Sequence, residues 1–316
     1  MAQLFRKQTV GIKTESTQGT AVALTTTDFT HAYDVSITPM VELTPQNYVS
    51  TSLSRFADIP GKKYYEIEFT LPLRGSGTAG TANTPLGAAL QACGLTETVS
   101  GGVSVTYAPT SSAASSNFYG PGKSATVKIY QDGMLHVAAG CLFDVSFDLE
   151  AGKPVGLKFK GKGIYAAVTD ASFASTSILA TNPPIIQSAS ATLQTFSAKI
   201  AKMSMQLGIQ ITEIPDVNST AGILGFQITD RQVTGNVDAN RELVATHDFW
   251  GKMMSGAEAA WTIAIGSTAG NIITISGSKM QYGQFKSGNR NGVASLEGNL
   301  LFNRSSGDDE VSIVFT

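Results

Sequence analysis

Cysteine is nearly absent. Cys93 and Cys141 are the only two in 316 residues, too few for a disulfide framework and more simply read as small buried hydrophobes than as a bridge. Charge is scarce too: charged residues make up 15% of the sequence, against roughly 25% in an ordinary soluble domain. The net charge of -2 leaves no basic field to hold nucleic acid tightly. A polar, weakly charged surface suits a protein that buries much of its exterior against copies of itself. Nowhere do eighteen apolar residues run together, and MAQLFRKQTVGIK lacks the apolar core of a signal peptide. Membrane insertion is therefore not expected, and synthesis and folding in the cytoplasm are.

Catalytic and metal-binding patterns are equally sparse. His31, His136 and His247 are scattered without metal-ligand spacing, and His136 reads as a turn histidine beside a buried thiol, Cys141. No G-x-S-x-G elbow is present. GSGTAG (75 to 80) matches a dinucleotide fingerprint, but TAN intervenes before the helix that should receive the pyrophosphate. GPGKS (120 to 124) resembles the end of a phosphate loop, yet ATVKIYQDG follows it with strand alternation where a helix is required. Asp308, Asp309 and Glu310 read as the exposed turn of a last hairpin. No catalytic residue, cofactor or metal is expected, and no enzyme.

What the chain does contain is β alternation interrupted by two short helix signals in matching contexts. TPLGAALQACG (84 to 94) opens with Thr84 and Pro85 and stops at Gly94; THDFWGKMMSG (246 to 256) has Thr246 as cap, Asp248 in the first turn and Gly256 as stop. The first carries the stripe Leu86, Ala89, Leu90 and Cys93, the second Phe249, Trp250, Met253 and Met254. At three turns or fewer, each must pack on a sheet. YYEIEFTLPLR (64 to 74) and DRQVTGNVDANREL (230 to 243) precede the helices, and VSVTYAP (103 to 109) and AWTIAIG (260 to 266) follow them. Upstream, DVSITPMVEL (34 to 43) answers MQLGIQITEI (205 to 214). The order is a structural duplication. AAVTDASFASTSILATNPP (166 to 184) reads as the linker between the halves. The first thirty residues and LTPQNYVSTSLSRFADIPGKK (43 to 63) lack a core pattern and read as contact arms.

The long strands have one dry and one wet face. LFDVSFDLEAG (142 to 152) sets Phe143, Val145, Phe147 and Leu149 against Asp144, Ser146, Asp148 and Glu150, and VGLKFKGKG (155 to 163) sets Leu157 and Phe159 against Lys158, Lys160 and Lys162. An odd loop at Ala151, Gly152 and Lys153 keeps the apolar sets together and brings Asp144 beside Lys160. Glu66 and Glu68 share this wet face, with Thr234, Asn236 and Asp238 as counterparts. It is mixed in sign and lacks the aromatic platform of a surface that grips single strands.

RKQTVGIKTESTQGTA (6 to 21), YYEIEFTLPLRGSG with TPLGAALQACG, GFQITDRQVTGNVDANRE, THDFWGKMMSG, AIGSTAGNIITIS and SSGDDEVSIVF together resemble the major tail proteins, or tail tube proteins, of long non-contractile-tailed bacteriophages, in the form with two tube domains. The resemblance implies a mainly β fold with a minor α component: two tandem tube domains, each a β-sandwich or partial barrel of antiparallel sheets with one flanking short helix. Their expected bounds are an N-terminal arm at 1–33, a first domain at 34–165, a linker at 166–182 and a second domain at 183–316. It also implies a structural virion protein that forms stacked rings, trimeric with pseudo-sixfold symmetry, around a channel for passive, non-sequence-specific passage of double-stranded DNA. The implied partners are further copies of the chain and the tape measure, terminator and distal tail proteins, with the virion tail as location. Glu66, Glu68, Asp144, Asp148, Lys158, Lys160 and Asp238 become candidates to face the lumen, and Phe5, Arg6, Lys7, Tyr48, Arg55 and Phe56 candidates for contacts between rings. Four strands from each repeat of a trimer would close about twenty-four strands at roughly 4.8 Å, a backbone diameter near 37 Å and a bore on the order of 25 Å. The alternative is a β-rich adhesin, for which Tyr48, Phe118 and Tyr119 are modest loop aromatics.

Overall fold

The computed structural model describes residues 4–187 and 189–316. The first half contains β1 (Gln8–Thr14), β2 (Phe29–Thr30), β3 (Tyr33–Thr44), β4 (Ile59–Pro72), α1 (Thr84–Gln91), β5 (Leu95–Ser100), β6 (Ser104–Pro109), β7 (Ala125–Gln131), β8 (Met134–Glu150) and β9 (Gly156–Tyr165). After the short β10 (Thr169–Asp170) and β11 (Ser190–Thr192) come β12 (Ile200–Gln206), β13 (Ile209–Pro215), β14 (Ile223–Arg231), β15 (Thr234–Asn240), α2 (Phe249–Ser255), β16 (Glu258–Ile265), β17 (Ile273–Arg290), β18 (Val293–Asn303) and β19 (Ser312–Phe315). The molecule is mainly β, and every strand pairing is antiparallel. That follows from sequences that alternate apolar and polar residues and are punctuated by left-handed glycines such as Gly133 and Gly152.

One sheet runs β3-β4-β9-β8-β12-β15-β18-β17, four strands from each half. The order 3-4-9-8 is repeated as 12-15-18-17. The repeat extends to register. Ser36 faces Glu68 as Ser204 faces Asn236, Thr38 faces Glu66 as Gln206 faces Thr234, and Leu43 faces Pro60 as Ile211 faces Ile228. Even the bulge after Val41 recurs after Gln210. DVSITPMVEL is therefore matched by KMSMQLGIQI (202 to 211), three residues earlier than hydropathy alone places its partner.

The outer layer is built on the first halves of the two long strands. Gly140, at a φ of 62° and within the bulge between Ala139 and Leu142, lets β8 pass from β7 and β1 into the eight-stranded sheet. β17 bends likewise between Tyr282 and Phe285, its first half pairing with β16 and β19. Strand β6 does not take the place beside β8 that AWTIAIG, in β16, holds beside β17; β7 does, and β6 instead pairs with β19 of the second half. The halves are thus stitched twice, by β8 with β12 and by β6 with β19.

Residues 8–14 are not a free arm. β1 pairs along its whole length with β7, burying Val10 and Ile12. Behind it Glu15, 3% exposed, accepts hydrogen bonds from Ser124 Oγ, Thr126 Oγ and the amides of Gly19 and Gly140 at 2.6–2.9 Å, so its buried carboxylate is fully engaged. The 43–63 excursion is also shorter than its composition suggests, because β3 and β4 stay paired to Thr44 and Ile59.

The helix starts differ from what the threonines suggest: α1 begins one residue early, at Thr84 itself, and α2 begins two residues late. Asn83 precedes α1, and Asp248 caps α2 by accepting the Gly251 amide at 2.8 Å. Gly256 closes α2 at a φ of 66°. Every residue of α1 from Pro85 to Gln91 is buried, so this helix is enclosed on all sides. On α2 only Phe249 is fully buried, and Met254 is 80% exposed. The GSGTAG loop owes its glycines to close contact between the halves: the Gly77 amide donates to Gly270 O at 3.0 Å, Gly75 donates to Asn271 Oδ1, and a Cβ on Gly75 would overlap Gly270 O.

Candidate functional site

The eight-stranded sheet carries one apolar and one wet face. Tyr65, Ile67, Phe69, Phe143, Val145, Leu157, Phe159, Met203, Met205, Val237, Leu296 and Leu300 are buried on the first. The second bears all seven candidates for the lumen. Register places Glu68 opposite Lys160, Lys160 opposite Asp144, Asp148 opposite Ser204, and Lys202 opposite Asp238. The pairing of Asp144 with Lys160 is the one the odd loop required. Glu68 also meets Lys158 at 2.5 Å, an exposed contact that raises the lysine's pKa.

Asp144 departs from the rest. It is half-buried, and its Oδ1 accepts the Val145 and Ile209 amides at 2.9 and 3.0 Å. Burial pushes its pKa up, and those amides pull against that shift. Its carboxylate secures the bend at Gly208 between β12 and β13.

Further charges join the same face. Glu150 lies opposite Lys202, Glu66 opposite Lys162, and Glu297 opposite both Asp238 and Lys286, while Arg290 binds Asp238. The alternation in KMSMQ (202 to 206) and SLEGNLL (295 to 301) is the signal that marks them. Seven carboxylates (Glu66, Glu68, Asp144, Asp148, Glu150, Asp238, Glu297) stand against six cations (Lys158, Lys160, Lys162, Lys202, Lys286, Arg290). Balanced charge without an aromatic platform gives a polyanion little to hold.

The sheet's ends are open. Among the described residues, β3 pairs only with β4, and residues 282–290 of β17 pair only with β18. The other exposed candidates cluster in two places. Phe5 is 84% exposed beside Lys7, which binds Asp132 at 3.1 Å. Tyr48 and Phe56 pack edge to face at 5.7 Å in the 45–58 tip, next to the ion pair of Arg55 with Asp58.

The remaining sequence signals have structural uses. His136 sits inside β8 rather than in a turn, 3.4 Å from Tyr65 OH. His247 stacks on Phe196 and meets Tyr282 OH at 3.0 Å. Burial lowers both histidine pKa values. Cys93 and Cys141 are free and buried. The acidic triplet is no simple exposed turn: Arg231 binds Glu310 Oε1 and Asp308 Oδ1, and Asp308 also accepts from Ser111 of the first half. Asp309 folds back onto the Ser305 and Ser306 amides, which lower its pKa to about 2. Among the described residues no group of three or more His, Cys, Asp or Glu is placed to hold a metal, and no helix is long and apolar enough to cross a membrane.

The buried histidines set a pH dependence. Their folded pKa values lie below the unfolded reference of about 6.5, so on acidification the unfolded chain takes up protons first. Stability should then fall from about pH 6.5 downward and level off only below the depressed folded values. Urea midpoints at about pH 7.5 and about pH 5.5 check this, and His247→Gln should reduce the drop between them. An unchanged drop in that variant would exclude His247 as a contributor.

These features define a structural scaffold: a mainly β chain whose charged residues are spread over a sheet face. Residues 6–315 match the family model described as phage tail tube protein, and the chain belongs to that family. A search of curated proteins finds no match.

Proposed function

We propose that three copies of this chain close into a pseudo-sixfold ring, and that stacked rings form the hollow tail tube through which double-stranded DNA passes to the host. The observation that carries this reading is the eight-stranded sheet with a charge-balanced wet face and open edges at β3 and β17. Three such sheets supply about twenty-four strands, and at roughly 4.8 Å each they enclose a bore on the order of 25 Å. The wet face, with Glu66, Glu68, Asp148, Lys158, Lys160 and Asp238, lines that bore, and Asp144 shapes its wall. The tube domains span 34–165 and 183–316 with a linker at 166–182, and of the arm expected at 1–33 the strand β1 belongs to the first domain. The virion tail is the site of action, and tape measure, terminator and distal tail proteins are the expected neighbours at the tube's core and ends.

Phe5, Arg6 and Lys7, together with Tyr48, Arg55 and Phe56 in the 45–58 tip, are exposed and supply contacts to the adjoining ring. Negative-stain microscopy of the purified protein tests the assembly: rings or tubes are expected, and monodisperse monomers under every condition would overturn it. A deletion series tests the arm. Removing residues 2–6 should leave a folded subunit that stacks poorly, whereas removing 2–20 also takes away Val10, Ile12 and Glu15 and should unfold the first half. Normal tubes from the shorter deletion would refute the arm's role.

A further inference from the structure

The chain contains a built example of one edge meeting another, the junction of β8 with β12. Each side has a counterpart left bare. On the incoming side, Met203 and Met205 of β12 are 1% and 2% exposed against β8, while their counterparts Val35 and Ile37 on β3 are only partly buried. Beyond the sheet, the β13–β14 hairpin folds over the first half: Gln18 Nε2 donates to Phe226 O, Tyr64 packs edge to face on Phe226, and Glu213 binds Lys62 and Lys162. This covers Ile209 to 8% exposure; its counterpart Val41 is 46% exposed, and Leu43, the counterpart of Ile211, is 53% exposed. The tips have equal length, yet Glu213–Pro215 is zipped to Ile223–Phe226 where 45–58 is unpaired. On the outgoing side, residues 146–150 of β8 carry β12, whereas among the described residues their counterparts 286–290 of β17 pair only with β18.

We infer that copies join head to tail in the register of the internal junction, with β17 of one copy antiparallel to β3 of the next. Lys286 lies opposite Thr38 and Ser287 opposite Ile37, as Ser146 and Phe147 lie opposite Gln206 and Met205. The outer part of the β3–β4 hairpin then folds over the second half of the neighbour, covering Val41 and Leu43. The occupant is a second copy because, among the described residues, the surface built to receive this hairpin shape is the one that its own repeat already fills. This inference rests on the ring proposed above and adds its register.

Paired cysteines test it. Residues directly opposite on antiparallel strands lie about 4.5–5.5 Å apart, within disulfide reach, whereas a two-residue slip leaves about 7–8 Å. Thr38→Cys with Lys286→Cys, and independently Ile37→Cys with Ser287→Cys, should oxidise in assembled protein to covalent trimers on a non-reducing denaturing gel. Ser36→Cys with Lys286→Cys should give at least about tenfold less. Cys93 and Cys141 are fully buried and do not compete. Rings by microscopy with preferential cross-linking of the slipped pair, or of neither aligned pair, would overturn the register while leaving the ring intact. Wild-type protein that forms no ring overturns both.

Discussion

Replacing Phe159 with alanine is expected to lower the unfolding free energy by about 3–5 kcal/mol. Its ring is fully buried at the centre of β9, stacked on Phe69 at 5.4 Å and edge-on to Phe143 at 6.2 Å. These three rings bind β4, β9 and β8 on the dry face of the eight-stranded sheet. Truncation removes apolar area from contact and leaves a cavity that neighbouring β backbone, held by its ladder bonds, cannot collapse to fill. Lys160→Ala, one residue away on the wet face, should cost within about 0.5 kcal/mol. Denaturant unfolding of both variants measures the contrast. A Phe159 loss below about 1 kcal/mol would show that this face is not the core.

Arg231→Leu is expected to cost about 3 kcal/mol, at the lower end for one partner of a buried ion cluster because Asp308 keeps contact with water. The Arg231 guanidinium reaches Glu310 and Asp308 at 2.5 and 2.9 Å and donates to Thr110 O at 3.2 Å. It therefore ties β14, the closing loop and the first half together at one point. Without it, Glu310, 8% exposed, is an unpaired buried carboxylate. Adding Glu310→Gln should recover part of the loss, and the double-mutant cycle isolates the coupling. Simple additivity of the two changes would remove Arg231 as the clasp.

Strand alternation was legible wherever one face met water, as in LFDVSFDLEAG and VGLKFKGKG, because a period of two sorts side chains without reference to any distant residue. It predicted the wet-face candidates and the pairing of Asp144 with Lys160. Alternation did not reveal β1, whose glycine and flanking polar residues mask Val10 and Ile12, nor Glu15, whose donors come from β7, β8 and its own loop. The acidic triplet looked like a solvated turn because Arg231, which binds two of its members, is distant in sequence.

By itself the sequence determined the mainly β character, the presence of two short helices and the polarity of each strand face, all of which depend on residues within a few positions of one another. The tertiary structure alone decided which edges meet: that β8 receives β12, that β6 crosses to β19, and that β3 and β17 stay open. Strand pairing is a competition among many chemically similar edges. Its outcome is set by bends at Gly140 and Gly208 and by packing across the whole core, which local pattern does not encode.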